Sequence, residues 1–247
     1  MKNSPLKRHI PNLFTLLNLS CGTVAIVLAI EGQWQWSVYL LFAAALFDFL
    51  DGLTARLLHA VSETGKQLDS LSDMVSFGVL PAIFIYAIFR QQFSVADTDL
   101  YPGVVQLVML LSVVLVPALS AIRLARFNQE EPGESFFHGL PTPAHALFWT
   151  GLYWQFMNEG LLFGTQVNLY FLWAIMLIMA LHMILPIPMY SMKFKNFRIK
   201  GNLIRYILLI ITVVILSFTG LPGITLVILS YILLSLLNLL LQQRVSN

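Results

Sequence analysis

Runs of roughly twenty apolar residues recur along this chain, and no other feature limits its fold so strongly. A helix of that length crosses the hydrocarbon of a bilayer. The connections between runs carry the residues that break helices: "EGQWQ", "ADTDLYPG", "EEPGESFFHGLPTP", "NEG" and "TGLPG". The pattern predicts eight helices, at about 11–31, 36–58, 69–90, 104–127, 141–158, 168–190, 203–218 and 222–241. A spanning barrel would instead show segments of about ten residues with alternating polarity, a pattern this sequence lacks. Of its 247 residues 58% are hydrophobic and 11% charged, against about 25% charged in soluble domains. The expected fold is therefore all-α: a polytopic membrane helical bundle forming a single domain over 1–247, with no internal repeat or low-complexity tract.

The basic residues supply an orientation. Lys2, Lys7 and Arg8 precede the first helix, Arg56 and Lys66 follow the second, and Arg123 and Arg126 end the fourth. Lys193, Lys195, Arg198, Lys200 and Arg205 lie between the sixth and seventh, and Arg244 follows the eighth. Arg90 alone falls on the other side, leaving thirteen of fourteen together. Excess Lys and Arg mark cytoplasmic loops, so both termini are expected in the cytoplasm and the protein in the cell (inner) membrane. Trp34, Trp36, Tyr101 and Trp154 fall near helix ends, where amphipathic rings settle at headgroup level. The first apolar run is too long for a signal peptide and lacks a small-residue cleavage site, so it reads as a spanning helix. Cys21, the one cysteine, sits within it and reads as packing.

One stretch contradicts the apolar background. "DFLDGLTARLLHAVSETGKQLDSLSD", residues 48–73, holds four aspartates. Asp48 and Asp51 lie three apart on one face near the expected cytoplasmic end of the second helix. Asp69 and Asp73 lie four apart and are expected to open the third, with Gly65 one turn earlier on the same line. The short connection makes the two helix ends neighbours, so four carboxylates converge. Buried like charges oppose one another and each loses hydration. Either protonation or bound cations would relieve this. An all-oxygen cluster without His or Cys suits hard divalent ions such as Mg²⁺ or Mn²⁺, and four carboxylates suffice for two. Gly52 and Ala55 leave room beside the acids for a ligand to approach the backbone. Arg56 places a guanidinium there for a carboxylate or phosphate.

The stretch reads D-x2-D-G-x2-A-R-x8-G-x3-D-x3-D, filled by Asp48, Asp51, Gly52, Ala55, Arg56, Gly65, Asp69 and Asp73. It resembles the signature of the CDP-alcohol phosphatidyltransferases, which move a phosphatidyl or related group from a CDP-linked donor to an alcohol and release CMP. The resemblance implies that Asp48, Asp51 and Asp69 are metal ligands. Asp73 is implied to be the general base, also touching a metal. Gly52 and Ala55 would accommodate the cytidine nucleotide, and Gly65 the approach of the third helix. Dimers are common in the family, so a homodimer is expected, with catalytic helices over about 11–190 and accessory ones over about 203–241.

Further stretches bear on the acceptor. "PNLFTLLNLSCG" (11–22), "SDMVSFGVLPA" (72–82), "RLARFN" (123–128) and "FHGLPTPAHA" (137–146) together resemble the integral-membrane phosphatidylserine synthases of that family. That resemblance implies CDP-diacylglycerol and L-serine as substrates among membrane lipids, with no nucleic acid. A guanidinium binds a carboxylate in a bidentate fork, which makes Arg123 and Arg126 candidates for the serine carboxylate or the donor diphosphate. Ser76 is a candidate serine contact. Thr15, Asn18 and Gly22 form one stripe on the first helix with Asn12 a turn earlier, and Asn12 and Thr15 are expected to contact the donor. Thr142 is expected to cap the fifth helix with Pro143 in its first turn, and His138 and His145 to be structural. Glycerol 3-phosphate or inositol would serve the same chemistry as acceptor. A divalent-cation transporter is the rival of a different class, disfavoured because its site belongs near the midplane, often between inverted repeats.

Overall fold

Ser62 sets the first departure from these expectations. Its side chain accepts a hydrogen bond from the Gly65 amide, the arrangement that starts a helix. The third spanning helix accordingly opens at Glu63 rather than at residue 69, so Asp69 and Asp73 sit inside it. The structure is a computed structural model that describes residues 5–95, 103–129, 136–158, 168–190 and 202–246. Tyr101 and the basic residues Lys2, Lys193, Lys195, Arg198 and Lys200 lie outside the described residues.

Helix α1 runs Pro5–Ile30 and α2 Trp34–Leu57. The third span is α3 (Glu63–Asp73), a π-helical stretch (Met74–Val79) and α4 (Leu80–Val95) in one continuous rod. The expected fourth helix is two: α5 (Gly103–Ser112) and α6 (Leu115–Phe127). Pro117 explains the break. It has no N–H to donate, and its ring crowds the carbonyl four residues back, at Val113. Then follow α7 (Thr142–Met157), α8 (Leu169–His182), α9 (Leu203–Thr219) and α10 (Gly223–Ser246).

Helix α8 stops well short of residue 190 because Pro186 and Pro188 cannot continue it. The chain instead extends into a strand, β2 (Pro188–Tyr190), which pairs antiparallel with β1 (Phe136–His138) in the register Phe136↔Tyr190 and His138↔Pro188. This short ribbon is the exception to an otherwise helical molecule. Thr142 does not cap α7. Pro141 holds the cap position, and the buried Thr142 hydroxyl has no hydrogen-bond partner, while Pro143 does fall in the first turn.

Among the described residues, five helical segments are long and apolar enough to cross a membrane: His9–Ile30, Trp34–Leu57, Glu63–Phe93, Gly103–Phe127 and Gly223–Leu240. Helices α8 and α9 are shorter and apolar. The protein is read as integral to a membrane. The apolar core lies between α4, α7, α8 and their neighbours. There Phe84 stacks on Tyr153 with ring centroids 4.1 Å apart, and Trp149 is fully buried. Trp34 and Trp154, expected as boundary anchors, also pack edge to face at 4.9 Å. They fasten α2 to α7 at the end opposite the aspartates.

Candidate active site

The sequence spacing survives folding at the aspartates. Asp48 and Asp51 project from the last turns of α2, and Asp69 and Asp73 from the facing turns of α3. The α2–α3 reversal passes through His59, whose φ is 51°. One oxygen from each of Asp48, Asp51 and Asp69 comes within 4.8 Å of the others. Asp73 lies one turn along α3 from Asp69 and is only 8% exposed.

Carboxylates at such distances need a cation or a proton between them. Asp69 Oδ1 is buried with no hydrogen-bond partner. An orphaned carboxylate oxygen aligned with two others is the donor set a hard divalent ion takes. The residues present therefore fit a metal, and the unsatisfied oxygen is the sign of it. Lys66 and Arg56 are directed elsewhere among the partners seen. Lys66 Nζ donates to the Asn128 carbonyl, and Asn128 Nδ2 donates to Ser70 Oγ at 2.7 Å. Arg56 Nε donates to the Gly52 carbonyl at 2.9 Å.

A cavity of about 350 Å³ opens beside the triad. Its walls include Asn12, Thr15, Asp51, Gly52, Ala55, Arg56, Gly65 and Asp69. All six residues expected to contact the nucleotide donor thus share one cavity with two of the acids. Gly52 matters here because a methyl group at its Cα would meet only Arg56 Nη2, at 3.9 Å. The missing side chain leaves open space rather than relieving a protein contact. Gly65 differs: a Cβ there would stand 3.1 Å from Ser62 Oγ and 3.3 Å from Asn12 Oδ1, so its bareness serves the approach of α3 to α1.

Helix α1 holds both pairs of acids. Thr15 Oγ1 donates to Asp51 Oδ2 at 2.9 Å, and Asn18 Nδ2 to Asp73 Oδ1 at 3.2 Å. The polar stripe seen in the sequence is therefore the face that meets the acids. Ser76 is fully buried, and its hydroxyl donates to the Asn18 carbonyl at 3.1 Å. It lies on the α1 seam and not among the walls of the cavity.

The two arginines of α6 part company. Arg126 is exposed, and its Nη1 donates to the Ile184 carbonyl at 2.9 Å just past the end of α8. Arg123 is 5% exposed, with its guanidinium 5.3 Å from the centre of the Phe127 ring. Neither lines the cavity at the aspartates.

Sequence reading missed Arg205 as more than a loop charge. It is 9% exposed, donates to Asn202 Oδ1 at 2.7 Å and Tyr190 Oη at 3.3 Å, and lies 4.8 Å over the Tyr190 ring. The signal available was its place at the start of an apolar helix, three residues after an asparagine. His145 is fully buried and receives the Trp149 indole N–H at 3.2 Å, as a structural histidine does. His138 is exposed on the ribbon.

Comparison with known proteins agrees with this geometry. Residues 8–186 match the family model described as CDP-alcohol phosphatidyltransferase. Among curated relatives, CDP-diacylglycerol–serine O-phosphatidyltransferase of Mycobacterium leprae is 36% identical over 150 residues, 58% of this chain and 46% of that protein. The archaetidylserine synthase of Methanothermobacter thermautotrophicus is 36% identical over 165 residues, 64% of this chain and 65% of that one. The Bacillus subtilis CDP-diacylglycerol–serine O-phosphatidyltransferase is 32% identical over 135 residues, 55% of this chain and 70% of that one. Against the mycobacterial relatives, the chain spans about half their length.

Proposed function

Since this chain belongs to the CDP-alcohol phosphatidyltransferase family, we propose that it transfers a phosphatidyl group from CDP-diacylglycerol to the hydroxyl of L-serine, giving phosphatidylserine and CMP. The observation that carries the reading is the union of three converging carboxylates with a cavity walled by Asn12, Thr15, Gly52, Ala55, Arg56 and Gly65. The names of the relatives support serine as the acceptor.

Asp48, Asp51 and Asp69 would hold the divalent cations, two Mg²⁺ or Mn²⁺, with Asp73 at their edge. When bound, such ions neutralise a diphosphate and leave its phosphorus electrophilic. The residues of the chain do the rest. The cavity seats the cytidine nucleotide against the bare Gly52 backbone, with Asn12 and Thr15 placed to hydrogen-bond it and Arg56 beside its phosphates. Asp73 takes the proton of the serine hydroxyl. The serine oxygen then bonds to the phosphorus that carries the diacylglycerol. The bond from that phosphorus to the CMP oxygen breaks, and CMP leaves. Arg123 or Arg126 would hold the serine carboxylate or the donor diphosphate through a bidentate guanidinium. Ser76 would act on serine only through the α1 seam it joins.

The cytoplasm is the proposed side of this chemistry, within the inner membrane. Helices α7, α8 and α9 would complete eight spans and return both termini to the cytoplasm, and α9–α10 would supply a homodimer face. The test uses purified protein, CDP-diacylglycerol and Mg²⁺ or Mn²⁺, with L-serine, glycerol 3-phosphate and inositol in parallel. CMP release with serine and a phosphatidylserine product is expected. Release only with another alcohol overturns serine. Metal flux into proteoliposomes without any CMP release overturns transfer itself.

A further inference from the structure

Helix α1 is laced both to α2 and to the third span, and the lacing uses the same two α1 residues twice. Thr15 gives its hydroxyl to Asp51 and takes the Ser72 hydroxyl on its carbonyl at 3.0 Å. Asn18 gives its amide N–H to Asp73 and takes the Ser76 hydroxyl on its carbonyl. Gly22, one turn beyond Asn18, makes this approach possible: a Cβ there would lie 2.1 Å from Ser76 Oγ and 2.9 Å from Ser76 Cα. The π-helical stretch begins directly after Asp73 and contains Ser76. Wide turns of this kind are frequent at functional sites.

Within this seam Asn18 is anomalous. It is fully buried, yet its Oδ1 has no hydrogen-bond partner. A buried carbonyl left unsatisfied destabilises a fold, yet the N–H of the same amide satisfies a buried Asp73 oxygen that an apolar side chain would strand. The amide's one engagement is Asp73, the carboxylate placed beside the triad rather than within it.

We propose that Asn18 is a positioning residue for Asp73. Its N–H fixes the carboxyl so that the other oxygen faces the acceptor hydroxyl, and the backbone clamp from Ser76 fixes Asn18. The role rests on the transfer reading above and adds to it a residue outside the aspartate signature. A displacement of a reacting group by about 1 Å costs on the order of 100-fold in rate, so a lost orientation appears in kcat.

The experiment compares Asn18→Leu with the unsubstituted protein in the serine transfer assay. Expected are a kcat per folded molecule lowered roughly 10- to 100-fold and KM values for CDP-diacylglycerol and serine within about 2-fold. In an Asp73→Asn background the same substitution is expected to lower kcat by less than about 2-fold, because the group it orients is gone. A merely structural role predicts less folded protein with kcat per folded molecule unchanged, or losses that add to those of Asp73→Asn. Should Asn18→Leu fail to accumulate, Asn18→Ser, whose hydroxyl is too short to span to Asp73, carries the same comparison. Full turnover by these variants, or additive losses with Asp73→Asn, overturns the positioning role while leaving the transfer reading intact. No CMP release from the unsubstituted protein with any alcohol overturns the transfer reading and the positioning role with it.

Discussion

Two seams of this molecule are built on opposite principles. Where α1 meets α2 and the third span, small polar side chains cross the gap, acids face one another, and carboxylate and amide oxygens are left without partners. Where α7 meets α10, Gly151 and Thr225 let two helices touch through little more than backbone. A Cβ on Gly151 would lie 2.4 Å from Thr225 Oγ1 and 2.8 Å from its amide nitrogen, and the Thr225 hydroxyl donates to the Phe148 carbonyl at 2.9 Å. Small residues at a helix crossing gain close packing inside a bilayer, where the hydrophobic effect contributes nothing between helices. The first seam sacrifices stability to hold chemistry, and the second is optimised for contact. The second also lies partly beyond residues 8–186, the part matched to the family. A division of labour follows: substitutions at the first seam should act on turnover, and those at the second on stability.

The largest expected effect tests the first half of that division. Asp73→Asn keeps the shape and removes the proposed base, and a positioned general base is worth roughly 10²–10⁴-fold. Turnover should fall by that order while donor binding, measured by retention of CDP-diacylglycerol or by the KM for it, stays nearly unchanged. Chelation should be equally severe and should be reversed by Mg²⁺ or Mn²⁺, since Asp48, Asp51 and Asp69 hold no basic partner that could replace the ion among the contacts seen at the site. Turnover that survives either treatment removes the chemistry from this seam.

Next in size is the challenge to the second seam. Gly151→Ala drives a methyl into Thr225 backbone as well as side chain, so α7 and α10 must separate. Overpacking of this kind costs typically about 1–3 kcal/mol. The melting temperature in detergent should drop, with kcat per folded molecule within about 2-fold of normal. A collapse of kcat at unchanged stability would show that the C-terminal helices reach the reaction after all.

Much of the first seam was legible because it is local. Asp48 and Asp51 share a helix, as do Gly65, Asp69 and Asp73, and helical periodicity places side chains three and four apart together. The position of the cavity followed from the same periodicity, through Gly52, Ala55 and Arg56. What escaped reading depends on partners distant in sequence, or on which of several competing signals prevails. Ser62 caps α3 although an earlier apolar criterion began the helix at residue 69. Pro117 divides α5 from α6 without interrupting the apolar run. The β1–β2 ribbon joins residues about fifty apart, and no pattern in three-residue segments announces a pairing. Arg123 and Arg126 look alike in "RLARFN", yet one is buried and the other exposed, a difference set by neighbours distant in sequence.

A gentler probe of the first seam is Gly52→Val. With only Arg56 Nη2 near, at 3.9 Å, the added methyls enter the cavity and not the protein. The fold should be indifferent and the melting temperature steady, while the KM for CDP-diacylglycerol rises roughly 10-fold, about 1.4 kcal/mol of lost binding. An unaltered KM would mean that the nucleotide lies elsewhere than against the Gly52 backbone.

The smallest effect is expected at Thr225→Val, and it sharpens the comparison most. The Phe148 carbonyl lies within α7 and keeps its helical hydrogen bond, so losing the threonine hydroxyl leaves no acceptor stranded. The side chains are nearly the same in shape, and Gly151 still fits beneath either. One net hydrogen bond, about 1 kcal/mol, is all that should vanish, a fall of about 2–4 °C in melting temperature for a chain of this size. Turnover should not move. At the other seam, Thr15→Val is the same chemical change, but there the lost partner is the Asp51 carboxylate, a member of the aspartate triad. If the two threonines behaved alike, with both changing only stability or both changing only turnover, the seams would not differ in kind. The separation between chemistry at α1–α3 and contact at α7–α10 would then have to be abandoned.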